Sequence, residues 1–136
     1  MLQNQGFLEK IAACPLFHDI SENNLKEDFE NIHYQVKHYS KGDMIMLAGQ
    51  KCDRLIIILK GSVKGEMIDY FGKTIKIEDI EAPRPLAVAF LFGEADIFPV
   101  NIVSNTDTEV LIIQKASVIK LLQTNIIFLH NFLKSI

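Results

Sequence analysis

The feature that most constrains this sequence is a run of five apolar residues, LIIIL at positions 55–59. The run has the length of a β-strand, and its isoleucines are β-branched residues that favour one. Because it contains no polar position, neither face of that strand can be directed at water. Turn-rich sequence precedes the run and Gly61 follows it. We therefore predict a strand that is buried on both faces.

Several further segments of strand length, most of them alternating apolar with polar residues, surround this run. They occupy residues 32–38, 44–47, 62–69, 74–80, 100–104 and 108–114. Turn signals separate them, including YFGK at residues 70–73, which predicts a hairpin tip. Short strands at this spacing, without long crossover connections, predict a mainly β domain, an antiparallel β-roll or jelly roll of about eight strands.

Two short helices are predicted before the strands. The first covers residues 2–13, where Leu8 and Ile11 share one helical face, and Pro15 ends it. Ser21 is a predicted N-cap for the second helix. The apolar residues of that second helix recur at helical spacing: Leu25, Phe29 and Ile32.

The C-terminal segment predicts two further helical stretches. Ser117 is a candidate cap for the first, VIKLLQ. Four apolar residues then follow the a/d spacing of a coiled-coil seam: Ile126, Leu129, Leu133 and Ile136. An isolated helix this short is marginal in water, so it must pack on something. Two interpretations stay open: this face packs on the chain's own barrel, or it begins a dimerisation helix.

Composition excludes several classes of protein. The 136 residues fit one domain with its own core, and the net charge of −3 disfavours nucleic-acid binding by this segment alone. The two cysteines, Cys14 and Cys52, form neither a zinc motif nor an iron–sulfur set. The sequence shows neither a secretory signal nor a stretch long enough to span a membrane. We therefore expect a cytoplasmic domain.

Three segments, taken in order, carry a resemblance to a known family. They are CPLFHDISENNLKE, YSKGDMIMLAGQKCDRLIIILKGSVK and LFGEADIFPVNIVSNTDTEVLII. They resemble the entry helices, the glycine-punctuated hairpins and the ligand-binding cassette of the Crp/Fnr sensor domain, found in bacterial transcription regulators. The resemblance covers nearly the whole chain from about Cys14 and implies a cyclic-nucleotide-binding-type β-roll.

The resemblance also implies a biological role. Residues 1–125 would form the sensor roll, and residues 126–136 would begin a dimerisation helix, making the protein a homodimer and not an enzyme. Family members bind DNA through a helix-turn-helix domain, and we expect no such domain within this chain. DNA would then be contacted only through a domain outside it.

The cassette, residues 90–101 (FLFGEADIFPVN), opens as in nucleotide-binding members of the family. In those members a Phe-Gly-Glu stands at this point, and the Glu accepts a hydrogen bond from the ribose 2′-hydroxyl. Phe92, Gly93 and Glu94 match this opening. The resemblance therefore implies a ligand site at this turn.

The remainder of the cassette departs from the family pattern. Nucleotide-binding members hold the cyclic phosphate with an arginine, whose position falls here near Phe98 and Pro99. No Arg or Lys occurs between Arg84 and Lys115. An anion buried without a cation is costly to desolvate, and Asp96 adds a like charge. We therefore expect that cAMP is not bound by the usual arginine-dependent mode.

The candidate effector-binding residues are Phe92, Gly93, Glu94, Ala95, Pro99, Val100 and Arg84. Glu94 has three interpretations: a carboxylate favourable to a helix start, a contact for another small molecule, or part of a surviving nucleotide site. Arg84 either reaches the pocket from its loop or is a solvated charge. The effector is unidentified, and the sequence indicates no cofactor.

Two alternative functions stay open. The first is a working cyclic-nucleotide-binding module. The missing arginine is the feature that distinguishes the prediction above from this alternative. The second is a small cupin-like metalloenzyme. The four histidines do not form the compact set that such a site needs, and no catalytic serine motif is present. They are His18, His33, His38 and His130.

Overall fold

The computed structural model describes residues 5–136, except for the side chain of Gln5, and these residues form five α-helices, one 3-10 helix and eight β-strands. The helices are α1 (Gln5–Ala13), a 3-10 turn (Pro15–Phe17), α2 (Glu22–Glu30), α3 (Val88–Leu91), α4 (Lys115–Thr124) and α5 (Ile126–Lys134). The strands are β1 (Tyr34–Tyr39), β2 (Met44–Met46), β3 (Arg54–Lys60), β4 (Ser62–Ile68), β5 (Thr74–Glu81), β6 (Arg84–Leu86), β7 (Asn101–Ser104) and β8 (Thr108–Gln114).

The strands form two four-stranded sheets that enclose one core. One sheet has the order β1-β8-β3-β6 and the other β2-β7-β4-β5, and every pairing is antiparallel. Buried residues of both sheets and of the helices belong to a single hydrophobic cluster. The predicted antiparallel β-roll of about eight strands is confirmed.

Strand β3 is buried on both faces, as the LIIIL run predicts. The side chains of residues 55–59 are between 0% and 6% exposed. The strand lies inside its sheet between β8 and β6, and α1, α3 and α4 contact it. Because the run has no polar side chain, the neighbouring strands and helices cover it completely.

The helices join the roll through a cluster of aromatic rings. Phe17 lies 5.5 Å from Phe29 and 5.2 Å from Phe128, measured between ring centroids. Phe29 also contacts Tyr34 of β1 at 5.4 Å. The three phenylalanines are no more than 2% exposed, so α2, α5 and the 3-10 turn pack together around one buried aromatic cluster.

Local predictions differ from the structure in two places. Ser21 caps α2 as predicted, accepting a hydrogen bond from the Asn24 amide. Ser117 does not cap α4, which begins at Lys115; its hydroxyl instead accepts the His33 amide at 2.9 Å. Residues 84–86 form the short strand β6, which was not predicted. Residues 2–4 of the predicted first helix lie outside the described residues.

The β4–β5 hairpin projects beyond the core. Val63 near its base is fully buried, whereas Tyr70 and Phe71 at its tip are 96% and 90% exposed. Ile75 and Ile77 of β5 are also exposed, at 40% and 50%. The predicted strand is therefore present, but its burial does not alternate, and only the base of the hairpin buries apolar side chains.

Gly61, between β3 and β4, provides a test of the fold. Its φ is +96°, and an added Cβ would lie 2.5 Å from the Asp107 carbonyl oxygen. We expect Gly61→Ala to combine the left-handed backbone cost of about 1–2 kcal/mol with this clash. Gly72→Ala is the matched control, with a φ of +81° and no atom within 4 Å of the new Cβ. Urea unfolding should rank Gly61→Ala as clearly less stable; equal losses would contradict the close-approach argument.

Candidate functional site

A cavity of about 240 Å³, here called the roll cavity, lies beneath the cassette. Its lining is mostly apolar and comes from β4, β5, β6, α3 and the chain around β7. The lining residues are Gly65, Ile77, Glu78, Ile80, Leu86, Ala87, Phe90, Phe98, Pro99, Val100 and Ile102. Glu78 is the one charged residue among them, so the cavity offers no cation to an anionic ligand.

A tight turn positions the cassette above this cavity. Helix α3 has four residues and follows Ala87, which has a φ of +53° and accepts a hydrogen bond from the Phe90 amide. At Gly93 an added Cβ would lie 3.0 Å from the Ala89 carbonyl oxygen. Glycine is therefore needed here for the close return of the chain onto α3.

The segment after this turn is held by backbone hydrogen bonds to residues 49–52. The Cys52 amide donates to the Asp96 carbonyl at 2.7 Å, and the Phe98 amide donates to the Gln50 carbonyl at 2.9 Å. The Gly49 amide donates in turn to the Phe98 carbonyl at 2.8 Å. The Phe98 amide is therefore engaged by the protein and is not available to an anion.

The predicted site residues do not all converge. Pro99 and Val100 line the roll cavity. Glu94 and Ala95 are exposed on the cassette, and neither Phe92 nor Gly93 lines the cavity. The cassette is therefore divided: Phe90 and residues 98–100 line the cavity, whereas residues 92–95, which carry the family motif, do not.

Arg84 lies away from the roll cavity. It lies in β6, where it pairs with Ile58 of β3, and it is exposed. It borders a separate open depression of about 370 Å³, together with residues that include Pro15 and Ser135. The structure thus places this guanidinium at the surface beside α3 rather than among the cavity-lining residues.

Arg54 is a cation near the cassette that sequence reasoning missed. Its guanidinium carbon lies 5.7 Å from the centroid of the Phe98 ring, while one nitrogen pairs with the Asp53 carboxylate at 2.7 Å and another contacts the Met46 sulfur at 3.4 Å. The guanidinium is therefore already neutralised. Only the three-dimensional pairing of residues 49–52 with the cassette brings it near Phe98, so the linear sequence carried no signal for it.

The opening of the cassette contacts the C-terminal helix. The Phe92 ring lies 5.8 Å from the Phe132 ring in an edge-to-face arrangement, and the Lys115 ammonium lies 5.0 Å from the Phe92 ring centroid. Phe132 is 3% exposed, on the inner face of α5. Phe92 therefore links the cassette directly to α5.

Helix α5 is seated by one face and leaves the predicted seam outside. Phe128 and Phe132 are buried, and the Asn131 amide group donates to the carbonyls of Leu16 and His18 at 3.1 and 2.9 Å. The predicted seam residues are more exposed: Ile126 (62%), Leu129 (half-buried) and Leu133 (57%) within α5, and Ile136 (66%) beyond its end. Within its own chain, the helix therefore packs against the 3-10 turn, α4 and the cassette, chiefly through residues other than the predicted seam.

Within residues 5–136, the His, Cys, Asp and Glu side chains form no group able to hold a metal ion.

His38 and Lys10 both contact the Glu109 carboxylate, at 3.0 and 2.8 Å. Burial opposes ionisation of Glu109, but these hydrogen bonds outweigh it and lower its pKa. Burial also raises the pKa of Cys14 to about 11, so this thiol is poorly suited to act as a nucleophile.

A known protein family matches most of the chain. Residues 36–125 match the cyclic nucleotide-binding domain family. No protein of curated function matches the sequence. Within the described residues, no helix is both long and apolar enough to cross a membrane.

Several solved structures share the fold. A transcriptional regulator of Thermotoga maritima, TM1171, is 29% identical with a TM-score of 0.74, covering 82% of this chain and 84% of that one. The catabolite activator protein of Thermus thermophilus (18% identity, TM-score 0.75) aligns with 88% of this chain but 55% of its own. The sensor domain of the transcriptional regulator DNR from Pseudomonas aeruginosa is 15% identical with a TM-score of 0.80, covering 96% and 85%. At these identities, the last two show the fold alone.

The Crp/Fnr resemblance stated from the sequence is confirmed by these matches. The family match spans the roll, the cassette and α4. This chain belongs to the cyclic nucleotide-binding domain family.

Proposed function

We propose that this domain senses an effector and dimerises within a Crp/Fnr-type transcription regulator. The observation that carries the proposal is the contact between Phe92 of the cassette and Phe132 of α5. A change at the cassette reaches the inner face of a helix whose outer face is an exposed apolar seam. Such a connection lets an effector shift the balance between two arrangements of a dimer.

The effector is not cAMP bound in the arginine-dependent mode. The lining of the roll cavity contributes one charged group, the Glu78 carboxylate, and the nearby Arg54 is paired with Asp53. A cyclic phosphate entering there would lose its hydration without gaining a cation. The cavity is also smaller than the roughly 300–1,000 Å³ typical of pockets for drug-sized ligands.

The seam on α5 is the proposed dimer contact. Of the three seam residues within α5, Ile126 and Leu133 expose more than half of their surface, and so does Ile136 beyond the end of the helix. A second copy of the helix would cover both seams in a coiled-coil arrangement. DNA binding would belong to a domain outside this chain, as the transcriptional-regulator relatives suggest.

A working cyclic-nucleotide-binding module is the second candidate function, and the family match favours it. The cupin-like metalloenzyme has no supporting observation among the described residues. We propose a non-enzymatic, cytoplasmic domain that works without a metal.

The nucleotide prediction is tested by calorimetric titration with cAMP and then cGMP. We expect no binding heat at millimolar ligand, because the cavity lacks a cation. A dissociation constant of about 1–100 μM, roughly −8 to −5.5 kcal/mol, would instead establish the second candidate. Repeating the titration on Arg84→Ala would then show whether that arginine supplies the cation.

The dimer prediction is tested by sedimentation equilibrium. We expect the chain to approach twice its monomer mass at high concentration, and Leu133→Glu to remain monomeric because it places a charge in each seam. The free energy of unfolding should change by no more than about 0.5 kcal/mol, since Leu133 is 57% exposed. Lys134→Glu, an exposed neighbour off the seam, is the control and should still associate. A wild-type chain that stays monomeric throughout would remove the dimer claim.

The link between cassette and helix is tested with Phe92→Ala. Loss of the edge-to-face pair should cost about 0.5–1.5 kcal/mol and shift the NMR amide signals of residues 128–134. Phe71→Ala removes a phenylalanine that is 90% exposed at the hairpin tip, and it should leave those signals in place. Unchanged α5 signals in Phe92→Ala would argue against transmission by this contact.

A further inference from the structure

We propose that the roll cavity binds a small, neutral, apolar molecule, one larger than benzene and without a carboxylate or phosphate. This inference rests on the proposed sensing function and names the chemical class of the effector.

The lining provides an apolar surface from every side. Ile80, Leu86, Phe98 and Ile102 are between 3% and 6% exposed and form the inner wall, whereas Ile77, Glu78 and Pro99 are exposed at its mouth. A dry apolar cavity of about 150 Å³ is sufficient to bind benzene. The roll cavity, at about 240 Å³, has room for a benzene ring with a short alkyl chain but not for a long fatty chain.

Charge at the cavity disfavours anions. The carboxylate of Glu78, an exposed residue, repels a ligand carboxylate or phosphate and is not compensated by any other lining residue. Uncharged ligands avoid this repulsion, and they also avoid the desolvation cost that an anion would incur. The cavity therefore selects for neutral molecules.

The shape of the cavity depends on Gly65 in the middle of β4. Its φ lies outside the left-handed region, so the backbone does not require glycine there. An added Cβ would lie 3.4 Å from Val100 Cγ2 and 3.9 Å from Ile102 Cδ1, both lining side chains. A glycine in the interior of a strand normally weakens that strand. A larger residue at this position would occupy space that the cavity now leaves open.

The cavity is adjacent to the contact that reaches α5. Phe90 lines the cavity, and Phe92, two residues further along the turn, packs on Phe132. A molecule seated against Phe90 therefore lies beside the segment that contacts the helix. Ligand binding would stabilise one position of this segment.

The test is an NMR titration of the isotope-labelled chain with n-butylbenzene, up to saturation of the buffer, and with 4-butylbenzoate at matched concentrations. We expect saturable amide shifts in residues 63–66 and 98–102 with the neutral probe. The anionic probe should bind at least about tenfold more weakly. Absence of saturable shifts with n-butylbenzene, or tighter binding of the benzoate, would overturn the proposal.

Variants locate the binding. Gly65→Val should reduce affinity about tenfold or more by filling the cavity, while Met67→Val, an exposed change on the same strand, should not. If Gly65→Val fails to fold, Ile77→Phe fills the cavity from a position that is 50% exposed. Glu78→Gln should improve binding of 4-butylbenzoate and leave n-butylbenzene unchanged. Wild-type affinity in both filled variants would place the probe elsewhere and refute the site.

The dimer proposal fails if the chain stays monomeric, and cAMP binding in the titration would replace the leading account of the site by the second candidate function. The apolar-ligand proposal fails if the neutral probe does not bind, whatever the oligomeric state.

Discussion

The burial of β3 on both faces is the constraint from which the arrangement of the other elements follows. Its pairing with β8 and β6 sets the middle of one sheet, and α1, α3 and α4 contact it. Leu86 of β6 pairs with Ile56, and α3 begins two residues later. The position of the cassette is thus determined by a strand that contributes no residue to the roll cavity.

Much of the fold is predictable because its signals are local. The LIIIL run, the alternating segments and Ser21 each indicate one element without reference to the others. Strand β6 escapes prediction because it has only three residues, one of them Pro85, directly follows Pro83, and exists through pairing with β3. The role of Ser117 escapes for a similar reason: its partner, the His33 amide, is 84 residues away in the chain.

The site is less predictable than the fold, because it depends on residues that are distant in the sequence and meet only in the folded chain. Phe92, Gly93 and Glu94 match a family motif in sequence, yet the cavity is lined by Phe90, Gly65 and others that no motif marks. The face of α5 is a related case. Its a/d spacing is real, but the buried contacts belong to Phe128 and Phe132, because the aromatic cluster holds the helix by its other side. Linear spacing identifies an apolar face without showing which surface covers it.

The exposed β4–β5 hairpin has a consequence for the behaviour of the chain at high concentration. Strand β5 ends its sheet, and Ile75 and Ile77 leave apolar surface along an open edge, the kind of edge that can pair with another chain and start aggregation. Lys76 and Glu78 occupy the intervening positions, and both are exposed. Pairing with a second molecule would place these charges against an added strand, which disfavours cross-β growth from this edge.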